Sequence, residues 1–308
     1  MLEISRHCMG PFRFSGHESF ACRYAWLPKA YRAIRREPTM FSDDERSMVE
    51  LGIGKNMVRS LRFWVDAMGV ASPTDDRGHK PTEFGDAVFA ENGLDPYLED
   101  ERTLWLLHWN VSSRANPTLF AWAHMLSEWS YPEFTRSEAL DSFRRRSASL
   151  GISHSDVTLG QHLDVFLHTY VGTQGAKVAV EDSLDGPLVG LKLIVPAGER
   201  RNASGRWETV YAFRREPKSD ITDAVFEYCV RDFWDRFAPG EATLSLRAVA
   251  TAGGSPGQVF KLAEDDVRQR LEAISRRAGS TLRYQPSAVQ GMVFREGDGL
   301  ALRYVYGD

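Results

Sequence analysis

Two adjacent residues near the start of the sequence, His17 and Glu18, have side chains that could cleave a phosphodiester bond. An imidazole can act as a base, and a carboxylate can act as a base or hold a divalent ion. Ser15 and Gly16 precede them and indicate a turn, and Arg23 could supply a positive charge. The alternative is a structural turn in which Glu18 caps a helix and His17 is only hydrogen-bonded.

A second group of carboxylates, Glu181, Asp182 and Asp185, lies in a loop-rich stretch and could also hold a divalent ion. A solvated loop or a helix cap would give the same composition. The sequence contains no GxxxxGK[ST] phosphate loop, HExxH, paired CxxC or GxSxG elbow. These absences leave ATPase, zinc peptidase and serine esterase activities unsupported, and we expect no nucleotide or organic cofactor.

The stretch that begins at Lys55 predicts an amphipathic helix with a basic side. Lys55, Arg59 and Arg62 fall together at helical spacing, and apolar residues occupy the opposite side. Asn56 lies beside these cations at the start of the helix. Arginine and lysine bind phosphates, while asparagine or arginine can read a base edge. We therefore expect Lys55, Asn56, Arg59 and Arg62, with Arg23, to contact DNA, although an ordinary solvated helix face has the same pattern.

The elements around this helix follow the order of a winged helix-turn-helix. Ser42 and Glu45 predict a capping box for a short preceding helix that stops at Gly52. A hairpin is predicted after Gly69, and Thr82 then begins another short helix. In a winged helix-turn-helix, the second helix of the motif faces the DNA major groove.

The whole chain predicts a mainly α fold with small β-hairpins, an α+β class. Residues 1–94 are expected to form a winged-helix DNA-binding domain with the N-terminal motif, and residues 95–185 a helical middle domain. Residues 186–308 are expected to form a C-terminal winged-helix-like domain. It would contain strands over 188–195 and 207–213, an exposed loop over 198–205, helices over 219–237, 244–250 and 264–277, and strands up to 300–306.

Composition predicts a cytoplasmic protein without a membrane segment. The 308 residues carry a net charge of -4, but through Trp64 eleven cations face seven anions, so the basic charge is local. The three cysteines have no metal-ligand spacing and are typical of reduced thiols. No run of about 18 apolar residues occurs, and the first residues lack a signal-peptide core.

Two motifs, FSGHESFACRYAWLPK over 14–29 and LGIGKNMVRSLRFW over 51–64, carry a family resemblance. Weaker similarity extends to EDSLDGPL over 181–188 and GSPGQVFKL over 254–262. The chain resembles the SspB-like DNA nickase family of single-strand DNA phosphorothioation defence systems, a family long catalogued as a domain of unknown function. The resemblance covers nearly the whole chain.

The resemblance implies a nicking endonuclease that acts on double-stranded DNA in anti-phage defence, with a divalent metal, Mg or Mn. Its implied partners are a cysteine desulfurase and other DNA phosphorothioation proteins, and a homodimer is also allowed. The assignment of His17 and Glu18 as catalytic residues comes from their chemistry and position, not from the family. A non-catalytic DNA-binding subunit that recruits sulfur-transfer enzymes and a winged-helix transcriptional regulator are the alternatives.

Overall fold

The computed structural model of the protein describes residues 11–114, 116–172, 186–287, 290–297 and 299–307. These residues form a mainly helical fold with small sheets of two or three strands, which confirms the predicted α+β class. Glu181, Asp182 and Asp185 lie outside the described residues. Within the described residues, no helix is long and apolar enough to span a membrane.

The α-helices in chain order are α1 (Trp26–Arg36), α2 (Asp44–Leu51), α3 (Lys55–Ala67), α4 (Glu83–Phe89), α5 (Glu101–Trp109), α6 (Phe120–Ala123), α7 (Arg136–Ser149), α8 (Asp156–Tyr170), α9 (Asp223–Phe237), α10 (Leu246–Thr251), α11 (Pro256–Val259), α12 (Glu264–Arg276) and α13 (Leu302–Tyr306). The strands are β1 (Phe12–Arg13), β2 (Ala71–Pro73), β3 (His79–Pro81), β4 (Thr118–Leu119), β5 (Glu133–Thr135), β6 (Ile194–Arg201), β7 (Trp207–Phe213), β8 (Thr243–Ser245), β9 (Leu282–Gln285) and β10 (Met292–Arg295). Short 3-10 helices cover Met40–Ser42 and Pro187–Leu191, and π-helices cover Asn110–Arg114 and His124–Glu128.

The first third of the chain has the predicted order of helices and hairpin. Helix α3 buries its apolar side, and β2 pairs with β3 in antiparallel register, with Ser72 opposite Lys80. Gly52 ends α2 in the left-handed conformation that glycine adopts without strain. The predicted cap of α2 is wrong by one residue. The carboxylate of Asp43, instead of the Ser42 hydroxyl, accepts the free amides of the first turn, because Ser42 already belongs to the preceding 3-10 helix.

The C-terminal third departs from the prediction at three places. Residues 187–191 form a 3-10 helix that Pro187 favours as a first residue, so strand β6 starts only at Ile194. Strand β6 then continues through Arg201, well into the stretch predicted as a loop over 198–205. The last predicted strand, over 300–306, is helix α13. Tertiary contacts hold this helix in place, since the hydroxyl groups of Tyr306 and Thr103 are hydrogen-bonded at 2.7 Å, and such contacts can override β propensity.

One apolar core joins the three segments predicted as domains. Its buried side chains run from Phe14 to Val305. Strand β1 pairs in parallel with β4, and the hairpin of β6 and β7 pairs with β5, so sheets cross both predicted boundaries. The division into three domains stays a prediction.

A chain of buried hydrogen bonds connects the middle of the protein to α11. The Trp122 indole N–H donates to the Tyr170 hydroxyl at 2.9 Å, and that hydroxyl donates to His108 Nδ1 at 2.8 Å. His108 Nε2–H donates to the Val259 carbonyl at 2.9 Å, which fixes the neutral tautomer. Burial lowers the pKa of His108 from 6.5 to about 4.

The pH dependence of stability tests this buried imidazole. Between pH 6.5 and about 4, His108 binds a proton in the unfolded chain but not in the folded chain. The stability that depends on neutral His108 is therefore complete above pH 6.5 and is lost as the pH falls, at up to about 1.4 kcal/mol per pH unit for one proton. Denaturant titrations at several pH values should give a slope that is shallower in His108→Gln than in the parent.

The exposed His168 provides the matched control for this measurement. The His168→Gln variant should keep the parent's slope of unfolding free energy against pH. Identical slopes for the parent and His108→Gln would contradict the assignment of a neutral, buried His108.

Candidate nucleic-acid interface and active site

The N-terminal motif is held against the middle of the chain by a short strand and a tight turn. In the β1–β4 pair, Arg13 lies opposite Leu119. Gly16 has a φ of 108°, and a Cβ there would lie 3.0 Å from the Phe63 ring and 2.5 Å from the Arg13 guanidinium. Only glycine allows both this backbone conformation and this close approach to α3. The turn therefore carries the next two residues, His17 and Glu18, to the side of α3.

A relay of hydrogen bonds fixes His17. The N–H of Ala121, a free donor in the first turn of α6, donates to His162 Nε2 at 3.0 Å. His162 Nδ1–H therefore donates to His17 Nε2 at 2.8 Å. His17 Nδ1–H in turn donates to the Glu18 carbonyl at 2.8 Å. The amide at the start of the relay thus sets both tautomers, and both imidazoles are neutral.

His17 consequently has no free lone pair in this conformation. Its side chain is only 2% exposed, and burial lowers its pKa. The hypothesis that His17 is itself a base or metal ligand stays a prediction, and that role would require the relay to open. What the geometry supports directly is a positioning role, because His17 holds the backbone of Glu18.

Glu18 has a left-handed backbone, with a φ of 53°. Its carbonyl accepts a second hydrogen bond, at 2.7 Å, from the Gln161 side-chain amide on α8. A non-glycine residue in this region costs about 1–3 kcal/mol, which the surrounding contacts must supply. Such strain is concentrated at functional sites, and Glu18 lines a cleft.

The cleft consists of two adjoining cavities of about 500 and 710 Å³. Both are lined by Glu18, Arg59 and Arg62, together with residues of the 3-10 helix Met40–Ser42. The smaller cavity extends to the β2–β3 hairpin. The cleft thus lies between the Glu18 turn, the basic side of α3 and the hairpin, and its size is that of a ligand site.

The cations of α3 differ in how far carboxylates neutralise them. Lys55 Nζ and an Arg59 amino group both face the Asp44 carboxylate, at 3.5 and 3.2 Å. Arg62 instead donates to the Phe41 carbonyl at 3.4 Å. No carboxylate in the described parts of the chain forms an ion pair with Arg62. Of the three cations Lys55, Arg59 and Arg62, Arg62 is therefore the one that carboxylates neutralise least.

A second ion pair lines the smaller cavity. The Arg13 guanidinium lies 3.4 Å from the Asp66 carboxylate and 4.3 Å from the centre of the Phe63 ring. Burial raises the pKa of Asp66, and the neighbouring Arg13 opposes that shift. A carboxyl group with a raised pKa in a cleft is a typical feature of functional sites.

The structure brings three of the predicted site residues into one cleft, namely Glu18, Arg59 and Arg62. Lys55 adjoins it through Asp44, and Asn56 is exposed in the first turn of α3. Arg23 is not among the residues that line the cleft, and its guanidinium lies 5.9 Å from the Trp26 ring.

Sequence reasoning missed four cleft residues, which are Arg13, Asp66, Arg77 and His79. Asp66 was visible as the last polar position on the basic side of α3. Arg77 and His79 belong to the hairpin that was predicted, but no sequence signal tells which hairpin side chains turn toward a helix. Arg13 needed knowledge of a contact across 53 residues.

Metal ligands are few in the described residues. They contain no group of three or more histidine, cysteine, aspartate or glutamate side chains arranged to hold an ion. Glu18 and Asp66 are the two carboxylates that line the smaller cavity, and Asp66 is engaged by Arg13. One or two carboxylates suffice for Mg²⁺ when substrate phosphates and water complete its shell, and Glu18 fits that mode of binding.

Comparison with known proteins gives a family and a structural likeness. Residues 14–304 match the family described as protein of unknown function, DUF4007. A magnesium ion-bound SspB crystal structure superposes with a TM-score of 0.80 at 26% identity, covering 94% of this chain and 86% of that chain. A second SspB crystal structure has a TM-score of 0.77 at 26% identity, covering 91% and 82%. These findings confirm the predicted SspB-like resemblance, while no curated protein matches the sequence.

The left-handed backbone of Glu18 generates a stability prediction. Glu18→Gly should keep or raise the melting temperature, because relief of about 1–2 kcal/mol of left-handed strain exceeds the roughly 0.5–1 kcal/mol entropy cost of glycine. Ser19→Gly, at a neighbour without a positive φ, should lower the melting temperature. Thermal unfolding followed by circular dichroism compares the two, and a loss of stability in Glu18→Gly larger than in Ser19→Gly would contradict the strain.

Proposed function

The chain belongs to the DUF4007 family, and on that premise we propose that it binds double-stranded DNA and nicks one strand within a bacterial phosphorothioation defence system. The observation that carries the proposal is the cleft in which Glu18 lies with Arg59 and Arg62. A carboxylate beside two guanidinium groups, of which Arg62 has no carboxylate partner in the described part of the chain, suits phosphodiester chemistry, since arginine binds phosphate oxygens and a carboxylate can hold a divalent ion or accept a proton.

The DNA-binding part of the proposal rests on the arrangement of the first third. Helices α2 and α3 and the β2–β3 hairpin have the order and pairing expected of a winged helix-turn-helix. In that arrangement α3 would approach the duplex, with Asn56 exposed in its first turn. Arg62 would bind a backbone phosphate, while Lys55 and Arg59 would exchange part of their contact with Asp44 for phosphate contacts.

The cleavage part rests on Glu18. A divalent ion, when bound, would polarise the scissile phosphate and lower the pKa of an attacking water. Glu18 would hold that ion from the protein side, and Arg62 would stabilise the charge that develops on the phosphate oxygens. The His17 and Gln161 contacts to the Glu18 carbonyl would keep the carboxylate in place. The reaction adds one water across one P–O bond and leaves a phosphate at one strand end and a hydroxyl at the other.

The proposal places the protein in the cytoplasm beside a cysteine desulfurase and other phosphorothioation enzymes, as a monomer or a homodimer. A magnesium ion belongs to one of the similar SspB structures, and its relevance to this chain is part of the proposal.

A non-catalytic DNA-binding subunit is the second candidate. The observation that favours it is the lack, among the described residues, of three convergent metal-ligating side chains. Such a subunit would bind DNA through the same arginines and deliver it to sulfur-transfer enzymes. A transcriptional regulator would instead protect one preferred operator sequence in a footprint.

Removal of the Arg62 guanidinium tests DNA binding. Arg62→Ala should weaken binding to an intact duplex by about 1–3 kcal/mol, and it should reduce the slope of log affinity against log salt by about 1. Fluorescence anisotropy over a series of salt concentrations measures both quantities. Arg276→Ala removes an exposed guanidinium on α12 and is the matched control that should leave both unchanged. An unchanged affinity in Arg62→Ala would show that this side of α3 does not contact DNA.

Replacement of the Glu18 carboxylate separates binding from cleavage. Glu18→Gln should keep duplex affinity but slow nicking of supercoiled plasmid by roughly 10²-fold or more in magnesium or manganese. Glu91→Gln, an exposed carboxylate outside the cleft, is the control. Wild-type protein that binds DNA and never nicks it supports the non-catalytic subunit. Normal nicking by a folded Glu18→Gln variant would remove Glu18 from the site.

A further inference from the structure

The hairpin side of the cleft contains an imidazole with a buried, unpaired ring nitrogen. His79, the first residue of β3, lines the smaller cavity and is only 7% exposed. Its Nδ1 is buried without a hydrogen-bond partner in the described parts of the chain, and its ring packs edge-on against Phe41. A buried polar atom without a partner is unfavourable, so rotation of the ring to meet a ligand oxygen in the cavity would be favoured.

Positive charge accumulates around this imidazole. The smaller cavity is lined by four arginines, Arg13, Arg59, Arg62 and Arg77, and by the two carboxylates of Glu18 and Asp66. With Asp44, which pairs with Arg59, four positive charges face three negative ones. Arg13 faces Asp66, and Arg59 faces Asp44 in the adjoining cavity.

Arg62 and Arg77 carry the uncompensated charge, since within the described ranges neither has a carboxylate partner. The nearby Asp76 carboxylate accepts from the Thr74 hydroxyl and the Gly78 amide and does not line the cavity. Arg77 also has a left-handed φ of 65°, and it is the second non-glycine residue of positive φ in this cavity after Glu18.

We infer that Arg62, Arg77 and His79 form a subsite for a terminal phosphate monoester at the end of a DNA strand. This inference rests on the proposed DNA-binding function and names the part of the substrate that enters the cleft. The monoester carries about 1.5–2 negative charges at neutral pH, and the two guanidinium groups without a carboxylate partner, Arg62 and Arg77, can neutralise them. Its three terminal oxygens can accept hydrogen bonds from two guanidinium groups and one imidazole.

The depth of His79 favours a strand end over an internal phosphate. A ligand that contacts a side chain 7% exposed has to enter the cavity. An internal phosphate of a stiff duplex stays on the surface, because the chain continues on both sides of it. A 5′- or 3′-phosphate at a nick can swing into a cavity of about 500 Å³.

Binding to three matched duplexes tests the subsite. One duplex is intact, one contains a nick with a terminal phosphate, and one contains the same nick with hydroxyl groups only. The full-length protein should bind the phosphorylated nick at least about tenfold more tightly than the hydroxyl nick, a difference of about 1.4 kcal/mol. Both phosphate positions, 5′ and 3′, are measured, and a preference for either supports the subsite.

Two variants assign that preference to the hairpin. Arg77→Asn removes the charge and keeps a residue that tolerates the left-handed backbone, and His79→Gln removes the imidazole. Both variants should bring the ratio of the two affinities, for the phosphorylated nick and for the hydroxyl nick, close to one. Binding of the intact duplex should stay nearly constant. Lys80→Asn removes a charge from the next position of the same hairpin, outside the cavity, and should preserve the ratio.

Each of the remaining outcomes contradicts either the subsite or the proposed DNA binding. A wild-type ratio near one, or a ratio that survives in both variants, overturns the subsite while the proposed DNA binding stands. If no duplex binds, competition between a terminally phosphorylated tetranucleotide and its hydroxyl form tests the subsite independently of duplex binding. If no duplex binds but the phosphorylated tetranucleotide binds in an Arg77-dependent way, the proposed function fails and the subsite remains. If neither binds, both are wrong.

Discussion

A hydrogen bond between two neutral imidazoles, His17 and His162, connects segments that are 145 residues apart in sequence. Without it, the motif turn would have only a two-residue strand and its contacts with α3 to define its direction. The bond has a fixed direction. The Ala121 amide determines which nitrogen of His162 carries the proton, and that N–H in turn determines the tautomer of His17. Through this order a helix end in the middle of the protein fixes the backbone of Glu18.

The arginines of the cleft differ in whether a carboxylate neutralises them, and burial explains the difference. Desolvation penalises every buried ion, so the more enclosed Arg13 has a carboxylate partner in Asp66. The hairpin arginine, Arg77, is exposed and can remain uncompensated because water solvates it. A site that must bind an anion needs charges of this second kind, because an arginine already paired has to give up a partner first.

The local part of this architecture was predictable from the sequence. The basic side of α3 is visible from the spacing of Lys55, Arg59 and Arg62, and glycines mark the ends of the neighbouring helix. Glu18 was identified because it follows a turn. These features depend on residues within one or two helical turns of each other, where periodicity and capping dominate.

The rest depends on contacts that leave no local trace. His17 was selected for its chemistry, but its lone pair is used by His162, which resembles any other histidine within an apolar helix. His79 is the opposite case. Nothing in the sequence marks it, and only the packing of the fold leaves its Nδ1 buried without a hydrogen-bond partner. The helical end of the chain, α13, is another case, since its alternating apolar residues suit a strand until Thr103 and Glu227 bind its tyrosines.

The Gln161 and His162 contacts to the motif turn also govern when the site can form during synthesis. Ribosomes release the N-terminal segment first, and domains generally fold as units in that order. Here the cations of α3 come from one helix, whereas Glu18 acquires its position only after Gln161 and His162 of α8 have emerged. A nascent chain therefore contains the cations of α3 well before the residues that fix Glu18, and the complete cleft forms only when both are present.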